Sequence, residues 1–190
     1  QKSDEDMAAV SRFIGKAFFK ILGWNLTGEV PKPDKYVICL APHTSIWDMI
    51  WGKMYNWATD MKPKIMVKKE FFFFPLGPLL RLWGAFPVDR NYPGGVVQQV
   101  ADEFKRKEKM ILAITPEGTR KANPNWKTGF YRIAAAAEVP MYISFCDFKG
   151  KQAGFAGEFT PTGNMEEDIK AIKEYYRGME GLYKGKFVIE

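Results

Sequence analysis

The chain has 190 residues, of which 46% are hydrophobic, so length and composition predict one globular domain and exclude a disordered chain. One histidine and two cysteines, without a Cys-x-x-Cys pair, argue against a zinc site, because such a site needs three or four nitrogen or sulfur ligands. A net charge of +6 favours anionic partners, namely nucleic acid, anionic lipid or an acidic carrier.

The first predicted element is an amphipathic helix over residues 7–22. Its basic side chains share one face, and periodicity does not tell whether its apolar face packs on a core or lies in a membrane interface. We assign residues 1–30 to an amino-terminal segment with a membrane-interface helix, and residues 31–190 to the main domain. No apolar run reaches the roughly 18 residues that suggest a transmembrane helix, and the charged start does not resemble a signal peptide. The apolar face comprises Val10, Phe13, Ile14, Ala17, Phe18 and Ile21.

Beyond residue 31, strand-like runs alternate with helix-like runs. This alternation predicts an α/β fold, a single domain in which helices flank a largely parallel central sheet. Functional residues are then expected at the carboxyl ends of the strands. Cys39 and Cys146 lie inside strand-like runs, which favours buried core positions. Strands are predicted over 36–40, 65–67, 85–88, 110–115 and 141–145, and helices over 46–57, 75–83, 95–107, 128–137 and 165–176.

The single histidine, His43, lies just past the first long strand, five residues before Asp48. Across a loop that leads into a helix, Asp48 can return to the imidazole and accept one of its N–H groups. That bond would fix the tautomer and raise the basicity of the other nitrogen, which describes a general base. On this pair alone, an ordinary loop histidine beside a locally capping aspartate remains an alternative.

Two further strands end near arginines. Pro116-Glu117-Gly118-Thr119-Arg120 follows one strand, and the segment from Gly84 to Arg90 contains another. Arginine and free backbone N–H groups can bind phosphate, although a charged surface turn is the alternative. Lys68 and Lys69 lie beside the run Phe71 to Phe74, so positive charge adjoins an apolar patch. Together these features fit an amphiphile with an anionic head and a fatty tail.

From about residue 36 to 145, the sequence resembles the glycerolipid acyltransferase family, which includes the 1-acylglycerol-3-phosphate acyltransferases. The resemblance rests on four motifs in order: His43-x4-Asp48, Gly84 to Arg90, Pro116 to Arg120, and Val139-Pro140. It implies transfer of an acyl group from acyl-CoA or acyl-carrier protein to the hydroxyl of a lysophospholipid, in phospholipid synthesis. No cofactor beyond this acyl donor is implied.

The resemblance also implies roles for individual residues. His43 and Asp48 correspond to the catalytic pair, and Lys68 is expected to help with the acceptor phosphate. We expect direct transfer, in which neutral His43 removes the proton of the acceptor hydroxyl as that oxygen attacks the thioester. A covalent route through Ser45 or a cysteine is the less favoured alternative. The residues assigned to acceptor binding are Arg90, Glu117, Gly118, Thr119 and Arg120.

Some positions depart from the family pattern. Pro42 stands where the family often has Asn, and Thr115 stands where Phe is common. These departures leave open a lyso-aminolipid as the acceptor, and a non-catalytic lipid-binding protein is a second alternative. Nucleic-acid binding is not expected, because no basic stripe is interleaved with stacking aromatics.

The expected location is the cytoplasmic face of a membrane, where the enzyme would bind peripherally through its first helix and exposed aromatics. An apolar tunnel for the acyl chain is also expected. Candidates for its end wall are Phe71 to Phe74, Leu79, Leu80 and Trp83, with ordinary core packing as the alternative.

Overall fold

A seven-stranded sheet forms the centre of the molecule, in a computed structural model that describes residues 2–190, with side chains from Glu5 onward. The strand order is β1-β7-β6-β2-β5-β3-β4, and among the described residues β6 and β7 are the one antiparallel pair. The strands are β1 (Asn25–Thr27), β2 (Lys35–Ala41), β3 (Lys64–Lys68), β4 (Ala85–Val88), β5 (Met110–Ile114), β6 (Met141–Asp147) and β7 (Gln152–Phe159).

Helices cover both faces of the sheet, so the predicted α/β class is confirmed. Each predicted helix and strand is present within a few residues of its predicted bounds, apart from a first helix that begins earlier. The helices are α1 (Lys2–Ile21), α2 (Asp48–Thr59), α3 (Leu76–Leu82), α4 (Gly95–Arg106), α5 (Gly129–Ala137) and α6 (Met165–Glu174), with a short 3-10 turn over Lys69–Phe71.

The sequence did not predict β1 and β7, which extend the sheet beyond β6. β7 contains two glycines, which weaken a strand pattern. One of them, Gly154, lies so close to Thr27 of β1 that a Cβ there would overlap the Thr27 carbonyl. The close approach of the two strands therefore requires a glycine at this position. Because β1 belongs to the sheet, the segment before residue 31 is joined to the main domain by strand pairing.

The two faces of β2 belong to two different cores. Val37 and Cys39 lie in the large cluster that includes residues of α4 and α5, whereas Tyr36 and Ile38 lie in a smaller cluster with Tyr55 of α2. Alternate side chains of a strand point to opposite faces, so the nearly continuous apolar run of β2 reflects burial on both sides. This arrangement places α2 over the face of the sheet opposite α4 and α5.

Helix α1 packs against α2 through small residues. A Cβ on the buried Gly15 would overlap the backbone nitrogen of Ala58, so the two helices approach too closely for any other residue. Phe18 and Phe19 add edge contacts with Trp51 and Tyr55. The packing face of α1 is thus centred on Gly15 and Phe19, to one side of the predicted apolar face.

Most of the predicted apolar face of α1 is exposed. Phe13 and Ile21 are 74% and 82% exposed, and Val10 and Ile14 are exposed as well. The alternative that the apolar face packs on the core is therefore wrong for these four residues, although Ala17 and Phe18 are partly buried. No helix in residues 2–190 is long and apolar enough to cross a membrane.

Candidate active site

The candidate site residues lie at the carboxyl edge of the sheet, as predicted. His43 follows β2 and Glu117 follows β5, and these two strands are neighbours. Lys68 ends β3, and Arg90 follows β4 at the edge of the sheet. Since adjacent strands lie about 4.8 Å apart, Arg90 emerges roughly 14 Å to the side of His43, whereas Glu117 emerges beside it.

Asp48 holds the loop between β2 and α2 in a tight turn. Its Oδ2 lies 3.1 Å from Nδ1 of His43 and accepts hydrogen bonds from the backbone N–H groups of Thr44 at 2.8 Å and Ser45 at 2.9 Å. A carboxylate only accepts hydrogen bonds, so Nδ1 carries the proton of the neutral imidazole and Nε2 is free to accept one. Asp48 is the first residue of α2, where a negative charge is favourable.

Glu117 supports His43 from the neighbouring strand. Its Oε1 accepts a hydrogen bond from the backbone N–H of His43 at 2.7 Å, and the residue is only 3% exposed. Burial raises the pKa of Glu117 to about 7, because a charged carboxylate is poorly solvated there. Within the described residues, its Oε2 has no hydrogen-bond partner. This contact with the histidine backbone carried no signal in the sequence.

The loop after Glu117 is ordered by its own hydrogen bonds. The side-chain amide of Asn123 donates to the carbonyl of Glu117 at 2.9 Å, and Lys121 N–H donates to Oγ1 of Thr119 at 3.2 Å. Gly118 has a φ of 64°, a left-handed conformation that favours glycine. Arg120 is exposed and lines the cavity described below.

The other two predicted anion-binding residues are exposed. Lys68 and Arg90 both face solvent, and neither has a salt bridge or side-chain hydrogen bond among the side chains described, those of residues 5–190. Their chain neighbours Lys69 and Asp89 form a salt bridge with each other. The structure thus leaves Lys68, Arg90 and Arg120 as exposed cations along the carboxyl edge, on three different strand ends.

A cavity of about 420 Å³ lies between the sheet and α2, with His43 and Asp48 in its lining. The walls are mainly apolar and include Ile38 and Leu40 of β2 on one side and Trp51 of α2 on the other. The lining continues away from His43 through Met61 and Pro63. Its volume is typical of a site for a small organic ligand.

Of the residues predicted as end-wall candidates, Trp83 alone lines this cavity. Four other candidates are exposed, namely Phe71, Phe73, Phe74 and Leu79. These four residues therefore neither form the end wall of the cavity nor pack in the core. Met61 instead lines both this cavity and a wider groove at the amino edge of the sheet. It therefore separates the two spaces.

The alternative nucleophiles, Cys39, Cys146 and Ser45, are buried or partly buried. Cys39 is fully buried, and burial raises the pKa of its thiol. Cys146 is partly buried and lines the cavity, and burial likewise raises its pKa. The Oγ of Ser45 accepts a hydrogen bond from the backbone N–H of Trp47 at 3.1 Å and is buried. A raised pKa makes the reactive thiolate scarce at neutral pH. Among the described side chains, those of residues 5–190, no three His, Cys, Asp or Glu are grouped to hold a metal ion.

The family model described as Acyltransferase matches residues 24–144, which is more than half of the chain. The chain belongs to the glycerolipid acyltransferase family. The match contains the loop with His43 and Asp48, the cavity wall from β2 and α2, and the Glu117 to Arg120 loop. The family predicted from the order of four motifs is confirmed.

Two individual proteins show the same likeness. The 1-acyl-sn-glycerol-3-phosphate acyltransferase of Streptococcus pneumoniae (strain ATCC BAA-255 / R6) is 33% identical over 117 residues, which cover 60% of this chain and 42% of that protein. This acyltransferase chain thus spans less than half the length of that relative. The crystal structure of the 1-acyl-sn-glycerophosphate (LPA) acyltransferase PlsC from Thermotoga maritima superposes with a TM-score of 0.58 at 14% identity, over 95% of this chain and 84% of that one, and shares its fold.

Proposed function

We propose that this acyltransferase moves a fatty acyl group from a thioester donor, acyl-CoA or acyl-carrier protein, to the hydroxyl of 1-acylglycerol-3-phosphate in phospholipid synthesis. The observation that carries the proposal is the His43–Asp48 pair in the lining of an apolar cavity. A base beside a space for an acyl chain is what a transfer between an alcohol and a thioester requires.

His43 acts as the general base. Its Nε2 takes the proton of the acceptor hydroxyl as that oxygen attacks the thioester carbonyl, the C–S bond breaks, and the proton passes to the departing thiolate. Asp48 stabilises the imidazolium formed on the way, because its Oδ2 lies against Nδ1. General-base help of this kind typically contributes about 10² to 10⁴ in rate, and positioning of the two substrates must supply much of the rest.

The acyl chain of the donor occupies the cavity between the sheet and α2. Support comes from the apolar lining, which runs from the catalytic pair to Met61 and Pro63. Each methylene removed from water contributes about 0.8 kcal/mol, so a cavity closed by Met61 favours chains that fill it and disfavours longer ones. Chain-length preference then depends on the position of Met61.

The acceptor phosphate lies along the row of exposed cations formed by Lys68, Arg90 and Arg120. Arg120 lines the cavity that also contains His43, so it is the closest of these to the reaction. Arginine binds phosphate bidentately, and neither Lys68 nor Arg90 is committed to a salt bridge with any side chain of residues 5–190. Gly118 and Thr119 shape the loop that carries Arg120, and Glu117 acts on the histidine loop instead of on the acceptor.

The protein binds peripherally to a membrane, at the cytoplasmic face, through one side. Among the described residues, 17 of the 20 exposed large hydrophobics precede residue 84, in α1, around the start of α2 and near α3. None lies between residues 84 and 164 of that described part. An apolar surface of this extent, interspersed with lysines, fits insertion into the interface of an anionic leaflet.

A thiol-release assay tests the transfer. Acyl-CoA and acyl-carrier protein donors of several chain lengths are combined with 1-acylglycerol-3-phosphate or a lyso-aminolipid, for native protein and His43→Ala. Release that depends on the phosphate-bearing acceptor and is lost in His43→Ala supports the proposal. Release that depends only on the lyso-aminolipid would mean that this lipid, and not 1-acylglycerol-3-phosphate, is the acceptor. Release that ignores both acceptor and mutation is background hydrolysis and favours the non-catalytic lipid-binding alternative.

A further inference from the structure

The segment that follows α6 crosses the carboxyl edge of the sheet beside the catalytic loop. We call residues 177–190 the strap. Immediately before it, the fully buried Tyr176 donates a hydrogen bond to the carbonyl of Cys39 in β2 at 2.8 Å, and its hydroxyl also lies 3.1 Å from the carbonyl of Ser144 in β6. The strap is therefore anchored on the two central strands that precede and flank the histidine loop.

Glu180 fixes the strap a second time. Its N–H donates to Oδ1 of Asp147 at 3.0 Å, and its carbonyl accepts from the N–H of Phe148 at 2.9 Å. Asp147 ends β6 and Phe148 begins the turn that follows, so the backbone at Glu180 is held at the level of the strand ends. These two hydrogen bonds hold the next residue, Gly181, close to the strand ends.

Gly181 lies directly against Thr44, the residue between His43 and Ser45. A Cβ at Gly181 would overlap both Cγ2 and Oγ1 of Thr44 and lie 2.9 Å from its Cβ. Two residues later, the N–H of Tyr183 donates to Oγ1 of Thr44 at 3.3 Å. Thr44 is 1% exposed. The strap therefore contacts the side chain of Thr44, while the backbone N–H of the same residue donates to Asp48.

We propose that Gly181 and Tyr183 are positioning residues, which hold Thr44 so that Asp48 and the imidazole of His43 keep the geometry needed for proton transfer. The inference rests on the proposed acyl transfer, but it concerns residues outside the matched family region, which ends at residue 144. The glycine leaves room for Thr44, and the N–H of Tyr183 fixes its hydroxyl. Neither residue contacts the reacting atoms.

Gly181→Ala tests the proposal in two ways. The added methyl must displace the loop by about 1 Å, a misplacement that can lower kcat about 100-fold. KM should change less, because the methyl meets Thr44, which does not line the cavity. Gly129→Ala is the matched control, since a Cβ at Gly129 meets nothing within 4 Å. Thr44→Ala in the Gly181→Ala background removes Cγ2 and Oγ1, the two most strongly overlapping atoms, but also the acceptor for the Tyr183 N–H. It should therefore restore kcat about tenfold or more, to a level about three- to tenfold below native.

The second readout does not depend on activity. His43 is the one histidine of the chain, so its imidazole C–H resonance is assigned without further mutants. At fixed pH we expect this resonance to move in Gly181→Ala, to return towards its native position in the double variant, and to stay unchanged in Gly129→Ala. Thr44→Val, which removes the acceptor for Tyr183 without adding an atom at residue 181, should also move it and lower kcat about three- to tenfold.

The outcomes separate the two proposals. If native protein shows no transfer with any donor and acceptor, the proposed function fails, while the resonance still decides the role of the strap. A native-like resonance and kcat in both Gly181→Ala and Thr44→Val would overturn the positioning role. So would a loss of kcat in Gly181→Ala that Thr44→Ala does not reverse, or an equal loss in Gly129→Ala, because either result would mean a general effect on the fold.

Discussion

Replacement of Asp48 by Asn removes the negative charge that faces His43 and changes little else. The amide oxygen can take the place of Oδ2 and still accept the N–H groups of Thr44 and Ser45. The loop should therefore keep its shape, and the thermal midpoint of Asp48→Asn should stay within a few degrees of native. The change in kcat then measures the charge itself.

The geometry bounds the size of the effect. At the lower bound, a charge-assisted hydrogen bond to His43 becomes a neutral one, which costs about 1 kcal/mol and lowers kcat roughly fivefold. At the upper bound, the imidazolium formed during transfer loses a full charge at 3.1 Å. With an effective dielectric constant of about 20, that charge is worth about 5 kcal/mol, or roughly 10⁴ in rate. We expect a fall of about 10² to 10³.

The assay is steady-state thiol release at saturating concentrations of the best donor and acceptor, for Asp48→Asn, His43→Ala and the control Asp34→Asn. Asp34 is an exposed residue at the opposite edge of the sheet, paired with Lys109, so its variant should keep native kcat. A kcat for Asp48→Asn within threefold of native, alongside a large loss in His43→Ala, would refute the charge argument. A loss accompanied by a fall of many degrees in thermal midpoint would instead mean that Asp48 acts through the fold of the loop.

Three other predictions concern the cavity, Glu117 and the exposed aromatics. Met61→Trp shortens the cavity, and exclusion of two methylenes at about 0.8 kcal/mol each should shift selectivity roughly 15-fold towards shorter acyl chains; an unchanged profile of kcat/KM against chain length would contradict this. Burial raises the pKa of Glu117 from an ordinary value near 4.5 to about 7, so the folded state binds more protons in that interval and the free energy of unfolding falls as pH rises through it. Glu117→Gln should remove this contribution, so its free energy of unfolding relative to that of native protein should be higher at pH 8 than at pH 5. Urea titrations at the two pH values would show this difference. Equal differences at both pH values would count against it. Phe73→Ser with Phe74→Ser should weaken flotation with anionic vesicles at unchanged thermal midpoint, because both side chains are exposed, and undiminished flotation would exclude them from the membrane surface.

Helix α1 shows where sequence periodicity succeeds and where it misleads. The three- and four-residue spacing identified the helix itself, and the apolar stripe around Phe13 is real. Packing, however, follows Gly15, because only a glycine lets two helix backbones come this close. Hydrophobicity scales give a glycine little weight, so the pattern indicated the exposed face and did not indicate the packed one.

The candidate site shows the same division. The spacing of His43 and Asp48 predicted their contact, because five residues across a loop limit where the carboxylate can lie. The hydrogen bond from the His43 N–H to Glu117 joins residues 74 apart, and the contact of Gly181 with Thr44 joins residues that are further apart still. No local pattern relates such positions.

The sequence by itself determined the α/β class, the order of the helices and strands around the site, the family, and the histidine–aspartate pair. These follow from short-range periodicity and from motifs whose residues are close along the chain. The tertiary structure alone decided which face of α1 is exposed, which residues line and close the cavity, and how Glu117 and the strap hold the histidine loop. Those features depend on which backbones approach each other across the sheet, and that is set by the packing of the whole chain.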